Sequence, residues 1–180
     1  MGDPRKLRKK YMKPRHPWQA GRITEEKDFT RQYGVKNKRE IWRASSKVRK
    51  WRQQARKITE MRGELAEKEK NIIITKLQKL GVLGEKADLE NVLDLKVEDL
   101  LERRLQTQVF KKGLASSVKQ ARQFITHQKV MINGKIVTSP SYVVKLKDNL
   151  DLTAAFKKKL AAPPKKKKVV KEEEENGQEE

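Results

Sequence analysis

Between residues 38 and 61, apolar side chains return at helical spacing. Ile41, Ala44, Val48, Trp51, Ala55 and Ile58 fall on one stripe, which predicts a long amphipathic helix closed by Gly63. Arg39, Arg43, Lys50 and Lys57 lie opposite, so the helix can bury one face and lay the other along a phosphate backbone. Trp42, Arg49 and Arg56 make a third row, where the indole either packs against the fold or stacks on a base. For Trp42 and Trp51 the packed reading is taken, because a large ring gains more from burial than from exposure. Residues 64 to 80 predict another helix, with Leu65, Ile73, Leu77 and Leu80 apolar and Gly81 as its stop. VLGEKADLENVLDL reads as a connection, and a short helix follows around Val97 to Leu101.

From residue 101 onward the apolar positions describe a smaller unit. LERRLQTQVFKK predicts a helix ending at Gly113, with Leu101, Leu105 and Val109 as its buried edge. Arg104, Gln108 and Lys111 share a polar stripe, which fits either a phosphate-following row or a plain solvated face. Ser117 and Gln120 have the spacing of a capping box, so a helix starts at Val118. Val118, Ala121, Phe124 and Ile125 then face one way, and Lys119, Arg122 and Thr126 another. After His127 the period becomes two. Val130 and Ile132 point inward, Asn133-Gly134 suits a type I′ turn, and Ile136 and Thr138 begin the return strand. Beyond the Ser139-Pro140 turn, Tyr142, Val144 and Leu146 alternate, and Leu150 and Leu152 repeat the pattern. The fold class is therefore α+β. It comprises a basic extended arm (1–22), a mostly helical N-terminal unit (23–100), a small helix-helix-hairpin domain (101–156) and a disordered low-complexity tail (157–180).

Charge changes what such a frame is for. The 180 residues hold 45 Lys and Arg against 24 Asp and Glu, a net charge of +21 that calls for a polyanion partner. It is unevenly placed: residues 1–60 hold 20 basic and 6 acidic side chains, whereas residues 61–110 hold 9 and 10. Residues 111–156 return to 8 against 2, so the binding signal is bipartite and the near-neutral middle packs one unit on the other. With 38% of residues charged and 35% hydrophobic, two small packed units are more feasible than one large core.

In the arm, Pro4, Pro14 and Pro17 break helix while Arg5, Lys6, Arg8, Lys9, Lys10, Lys13 and Arg15 alternate with Tyr11, His16 and Trp18. Cations neutralise phosphates and rings stack on unpaired bases, which suits RNA with loops and bulges; a plain basic tail or localisation signal is the alternative. In the tail, the lysine run at 165–168 is read as solvated rather than as a nuclear signal.

Chemistry beyond binding is poorly served. The chain lacks Cys, and His16 and His127 are far apart, so neither a disulfide nor a metal-ligand cluster is expected. No phosphate-loop motif, dinucleotide fingerprint or placed nucleophile is present, so neither an enzyme nor a small-molecule substrate or cofactor is expected. No apolar run approaches the ~20 residues of a membrane span, which points to the cytosol.

LERRLQTQVFKKGLASSVKQARQFITHQKVMINGKIV resembles the RNA-binding domain of the fourth small-subunit ribosomal protein family. MGDPRKLRKKYMKPRHPW and YGVKNKREIWR resemble its archaeal and eukaryotic branch, so the likeness covers roughly residues 1–155. The zinc knot of some bacterial members is missing. The resemblance implies a primary binder of small-subunit ribosomal RNA at a junction in the 5′ domain, which nucleates assembly and stays in the cytoplasmic ribosome. It further implies the fifth small-subunit protein as a neighbour, a place near the incoming messenger, and an influence on accuracy together with the fifth and twelfth small-subunit proteins. RNA contacts are expected from the arm and the 38–61 helix, with Arg103, Arg104, Lys111, Lys119, Arg122, Lys129 and Lys135 fixing orientation. Gln108, Lys112, Ser117, Gln120, His127 and Asn133 are counted in the same surface. A non-resident assembly factor and a DNA-compacting protein remain as alternatives.

Overall fold

A computed structural model describes Lys9, residues 11–154 and Phe156. Its helices are α1 (Ala20–Tyr33), α2 (Lys38–Glu60), α3 (Glu64–Lys79), α4 (Leu89–Asp94), α5 (Val97–Glu102), α6 (Leu105–Lys111) and α7 (Val118–Thr126). Three short strands, β1 (Val130–Ile132), β2 (Lys135–Ile136) and β3 (Leu150–Leu152), form an antiparallel sheet in the order β2-β1-β3. Helices with one small sheet make the α+β class expected from the pattern.

All six apolar stripe residues of α2 are buried. They meet Tyr33 at the end of α1 and Val35 beyond it, Ile73 and Leu77 of α3, Val92 of α4 and Leu100 and Leu101 of α5, which together form the first core. Trp51 sits at its centre, 5% exposed, so Trp51→Ala should cost about 3–5 kcal/mol. A second core gathers Leu105 and Val109 of α6, Ala121 and Ile125 of α7, Val130 and Ile132 of β1, and Leu150 and Leu152 of β3. Phe124 and Phe156 close it edge to face, ring centroids 4.7 Å apart.

Local chemistry explains the element ends. Ser117 Oγ accepts the Gln120 N–H at 3.1 Å and starts α7, as the spacing predicts. The Gln120 side chain does not reach back to Ser117; its Oε1 accepts from the Ser116 backbone N–H at 2.7 Å and from Ser116 Oγ. Asn133 and Gly134 both take positive φ, 49° and 79°, and reverse β1 into β2 with Ile132 opposite Lys135.

Several sequence expectations need correction. α1 begins at Ala20, inside the stretch read as arm, and α4 lies in the stretch read as connection. The helix expected over residues 101–112 is broken. Arg104 is extended, with ψ 144°, and bridges Val143 antiparallel: Leu105 N–H donates to Tyr142 O at 2.7 Å and Val144 N–H to Arg103 O at 2.9 Å. Cross-strand pairing thus takes over the backbone groups that a continuous helix would have used. The return strand stops at Ile136, which is exposed on the sheet edge, and Thr138 lies outside it. Tyr142 to Leu146 contributes only that bridge, with Val144 buried and Leu146 exposed.

Candidate nucleic-acid interface

The outer face of α2 carries the basic row. Arg39, Arg43, Lys50 and Lys57 are all exposed, as are Arg49 and Arg56 beside them. Up to Gln19 the described part of the arm runs alongside without helix or strand. Its Tyr11 ring lies 6.2 Å from that of Trp42, and the Arg43 guanidinium sits 5.8 Å from the Tyr11 ring centroid. The Met12 backbone N–H donates to Ser46 Oγ at 2.9 Å. Lys9, Lys13, Arg15, His16 and Trp18 stay exposed, Trp18 at 90%, so a ring and several cations face outward together. Arg5, Lys6, Arg8, Lys10 and the 157–180 tail lie outside the described residues.

A buried carboxylate organises this seat. Glu26 of α1 accepts from the Trp42 indole N–H at 2.9 Å and from Arg22, and Lys38 Nζ lies 3.2 Å away. Burial alone would raise its pKa, but the bonds from Trp42, Arg22 and Lys38 prevail and hold it below the ordinary range. Arg22 in turn donates to the carbonyls of Pro17 at 2.6 Å and His16 at 3.2 Å, fixing the arm where it enters α1. Trp42 is therefore half-buried and tethered, between the packed and stacking readings. Lys13, Arg22, Lys38, Arg39 and Trp42 line a cleft of about 690 Å³ along this edge.

A second carboxylate ties the two units. Glu40 of α2 accepts Arg104 Nη2 at 2.6 Å, and it takes Arg122 at two points, 2.8 and 3.3 Å. Burial pushes Glu40 upward, yet Arg122 and Arg104 outweigh it and the carboxyl is held below its usual value. Gln106 completes the joint by donating to Gly34 O at 3.0 Å and Val118 O at 3.1 Å. Gly34, at φ 58°, leaves no room there: a Cβ would lie 2.8 Å from Gln106 Nε2 and 2.9 Å from Val118 Cγ1.

This joint corrects the expected polar stripe on α6. Arg104 is buried and spent on Glu40, since its extended backbone turns the side chain inward, and Gln108 donates to Glu102 O at 2.9 Å. Arg103 donates to Leu80 O at 2.9 Å and Val144 O at 3.0 Å, and Arg122 is partly buried against Glu40. Asn133 binds the 148–149 turn, its amide donating to Asp148 and its oxygen accepting Asn149 N–H at 2.9 Å. Ser117 and Gln120 serve the cap. Of the lysines and the histidine expected in the small-domain surface, Lys111 (3.1 Å from Glu102), Lys112, Lys119, His127 and Lys135 remain outward, with Lys129 half-buried. Glu26 and Glu40 themselves were missed. In the sequence they look like ordinary helix-surface carboxylates, and only chain folding brings Glu40 to partners 64 and 82 positions away.

Among the described residues no group of three His, Asp or Glu is placed to hold a metal ion, and no helix is long and apolar enough to cross a membrane.

Residues 103–150 match the S4 domain family. The chain is 50% identical over 145 residues to small ribosomal subunit protein uS4 of Ignicoccus hospitalis, a match covering 81% of this chain and 87% of that one. It is 51% identical over 143 residues to the uS4 protein of Nanoarchaeum equitans, covering 78% and 79%. With that of Methanothermobacter thermautotrophicus it shares 49% over 145 residues, covering 81% and 85%. Identity at this level across both units agrees with the resemblance carried by the motifs, and with the expectation that the chain is not an enzyme. The chain belongs to the uS4 family of small ribosomal subunit proteins.

Proposed function

We propose that this protein is a primary binder of small-subunit ribosomal RNA that recognises a helical junction in the 5′ domain, nucleates assembly and remains in the cytoplasmic subunit. The observation that carries this reading is the joint at Glu40. The exposed row on α2 and the exposed lysines of the small domain belong to one clamped body rather than two tethered ones. Phosphate contacts from the arm and α2 supply most of the affinity, and the small domain sets orientation. Specificity comes from shape, because A-form RNA hides the edges of its bases in the deep groove. The family likeness supports the fifth small-subunit protein as a neighbour, a position near the incoming messenger, and a part in accuracy shared with the fifth and twelfth proteins.

The test is competition at moderate salt between a 5′-domain ribosomal RNA fragment, duplex DNA and an unrelated folded RNA. A large preference for the ribosomal fragment is expected. Equal binding to all three would reduce the signal to bulk charge and favour a DNA-compacting protein, while absence from mature subunits would favour an assembly factor.

A further inference from the structure

The RNA reading leaves one surface unused. On α3, Leu65 and Ile72 stand two turns apart on the same side and are 69% and 65% exposed. Asn71, Ile72, Thr75, Lys76, Lys79, Leu80 and Lys145 line a cleft of about 590 Å³ between this helix and the loop from the small domain, with a wall that is chiefly carbon. Leu146 continues the apolar rim at 62% exposure; its backbone N–H donates to Lys79 O at 3.1 Å, which fixes the loop against the end of α3.

The chemistry differs from that of the basic face. No aromatic ring lines the cleft to serve as a stacking platform, and its helical side, residues 71–80, belongs to the near-neutral stretch rather than to the α2 row, with Lys145 added from the small domain. A grouped exposed apolar surface marks a protein contact. Its cations define the occupant further. Lys76, Lys79 and Lys145 have no carboxylate partner among the described residues, whereas Lys68 and Lys70 of the same helix pair with Glu64 and Asp88.

We infer that this cleft is a docking site for a segment of another protein that inserts an aliphatic side chain beside Ile72 and Leu80 and sets carboxylates against Lys76, Lys79 and Lys145. The inference rests on the ribosomal reading above for its setting, and adds a protein-facing side to a molecule whose other side meets RNA. Ile72 and Leu80 supply the apolar floor and the three lysines set the direction in which an acidic segment lies across it.

The experiment places a benzophenone side chain at position 72 of the full chain, assembles it into small subunits and irradiates. The expected product is a nuclease-resistant protein adduct whose crosslinked peptide carries Asp or Glu beside an aliphatic residue. Lys76→Glu together with Lys79→Glu should lower its yield about tenfold, as removal of complementary charge at an interface does. An adduct to RNA, an adduct to a second copy of this chain, a peptide without carboxylates, or no adduct overturns the inference; a probe at Thr75 gives the same reading should position 72 not tolerate the label. Binding of the labelled protein to the 5′-domain fragment, measured apart, reports on the RNA function independently. A protein that binds this fragment normally yet gives no protein adduct loses the docking site and keeps the function.

Discussion

Glu40 and Arg122, 82 positions apart in the chain, meet in a two-point ion pair, with Arg122 Nη2 at 2.8 Å from Oε1 and Nη1 at 3.3 Å from Oε2. Arg104 enters the same carboxylate at 2.6 Å. One acidic side chain thus pairs with two buried or partly buried guanidinium groups of the small domain. Removing it leaves those charges without a partner in a low-dielectric joint. Glu40→Ala should cost about 3–5 kcal/mol in chemical denaturation, the usual loss when one member of a buried pair is deleted. A cost near that of an exposed pair, under about 1 kcal/mol, would mean that solvent reaches the joint.

Acid should open the same joint. Glu26 and Glu40 both have folded pKa values below the ordinary 4.5. Their contribution is therefore complete above that value and is lost as pH falls through the depressed folded values. Thermal unfolding followed from pH 7 to pH 3 should show stability falling at the acid end, and Glu40→Gln should flatten the fall. An unchanged acid profile for that variant would assign the fall to other carboxylates.

Two positive-φ positions should respond in opposite ways. Gly134 at φ 79° has open space around it, so Gly134→Val meets no clash but forces a β-branched residue into the left-handed region, at a cost of at least about 1–2 kcal/mol. Gln128, which ends α7 at φ 60°, already carries that penalty. Gln128→Gly should raise stability by up to about 1 kcal/mol in urea unfolding, the relief at φ 60° exceeding the added freedom of the unfolded chain; a loss of stability would mean that Gln128 is not strained. A melting curve unmoved by Gly134→Val would mean that the turn relaxes elsewhere.

The α2 row makes a prediction about salt. Replacing Arg43, Lys50 and Lys57 together with Ala should weaken binding to the 5′-domain fragment and lower the slope of log affinity against log salt by roughly 0.7–0.9 for each phosphate no longer neutralised. Weaker binding at an unchanged slope would place these residues off the phosphate path.

How much of this could be read from the sequence depends on how local its cause is. The α2 stripe, the Ser117 cap and the Asn133-Gly134 turn were legible because their determinants sit within a few residues of one another. α1 was not. Its buried positions are Glu26 and Tyr33, so it has almost no apolar periodicity to betray it. α4 spans six residues, too few for a period to show. Arg104 misled for a different reason: its place on a helical stripe was sound arithmetic on a helix that the Val143 bridge interrupts. Similar logic makes Leu146 outward, because a lone bridge cannot enforce the alternation of a strand. Which basic residues of the small domain turn inward was not legible either, because Glu40 draws in Arg104 and Arg122 from 64 and 82 positions away.

Two basic surfaces held at one separation should bind in a way that charge arithmetic alone would not give. Glu40→Gln removes a negative charge, and so does Glu90→Gln on the exposed face of α4. If bulk charge governed binding, both variants would hold the 5′-domain fragment slightly more tightly. The measurement is the affinity of each folded variant for that fragment at moderate salt, well below its melting temperature. Binding by Glu40→Gln weakened about tenfold or more, with Glu90→Gln unchanged or tighter, is the predicted result, since a loosened joint adds an ordering cost to association. Equal or tighter binding by Glu40→Gln would contradict the claim and leave charge, not geometry, as the source of recognition.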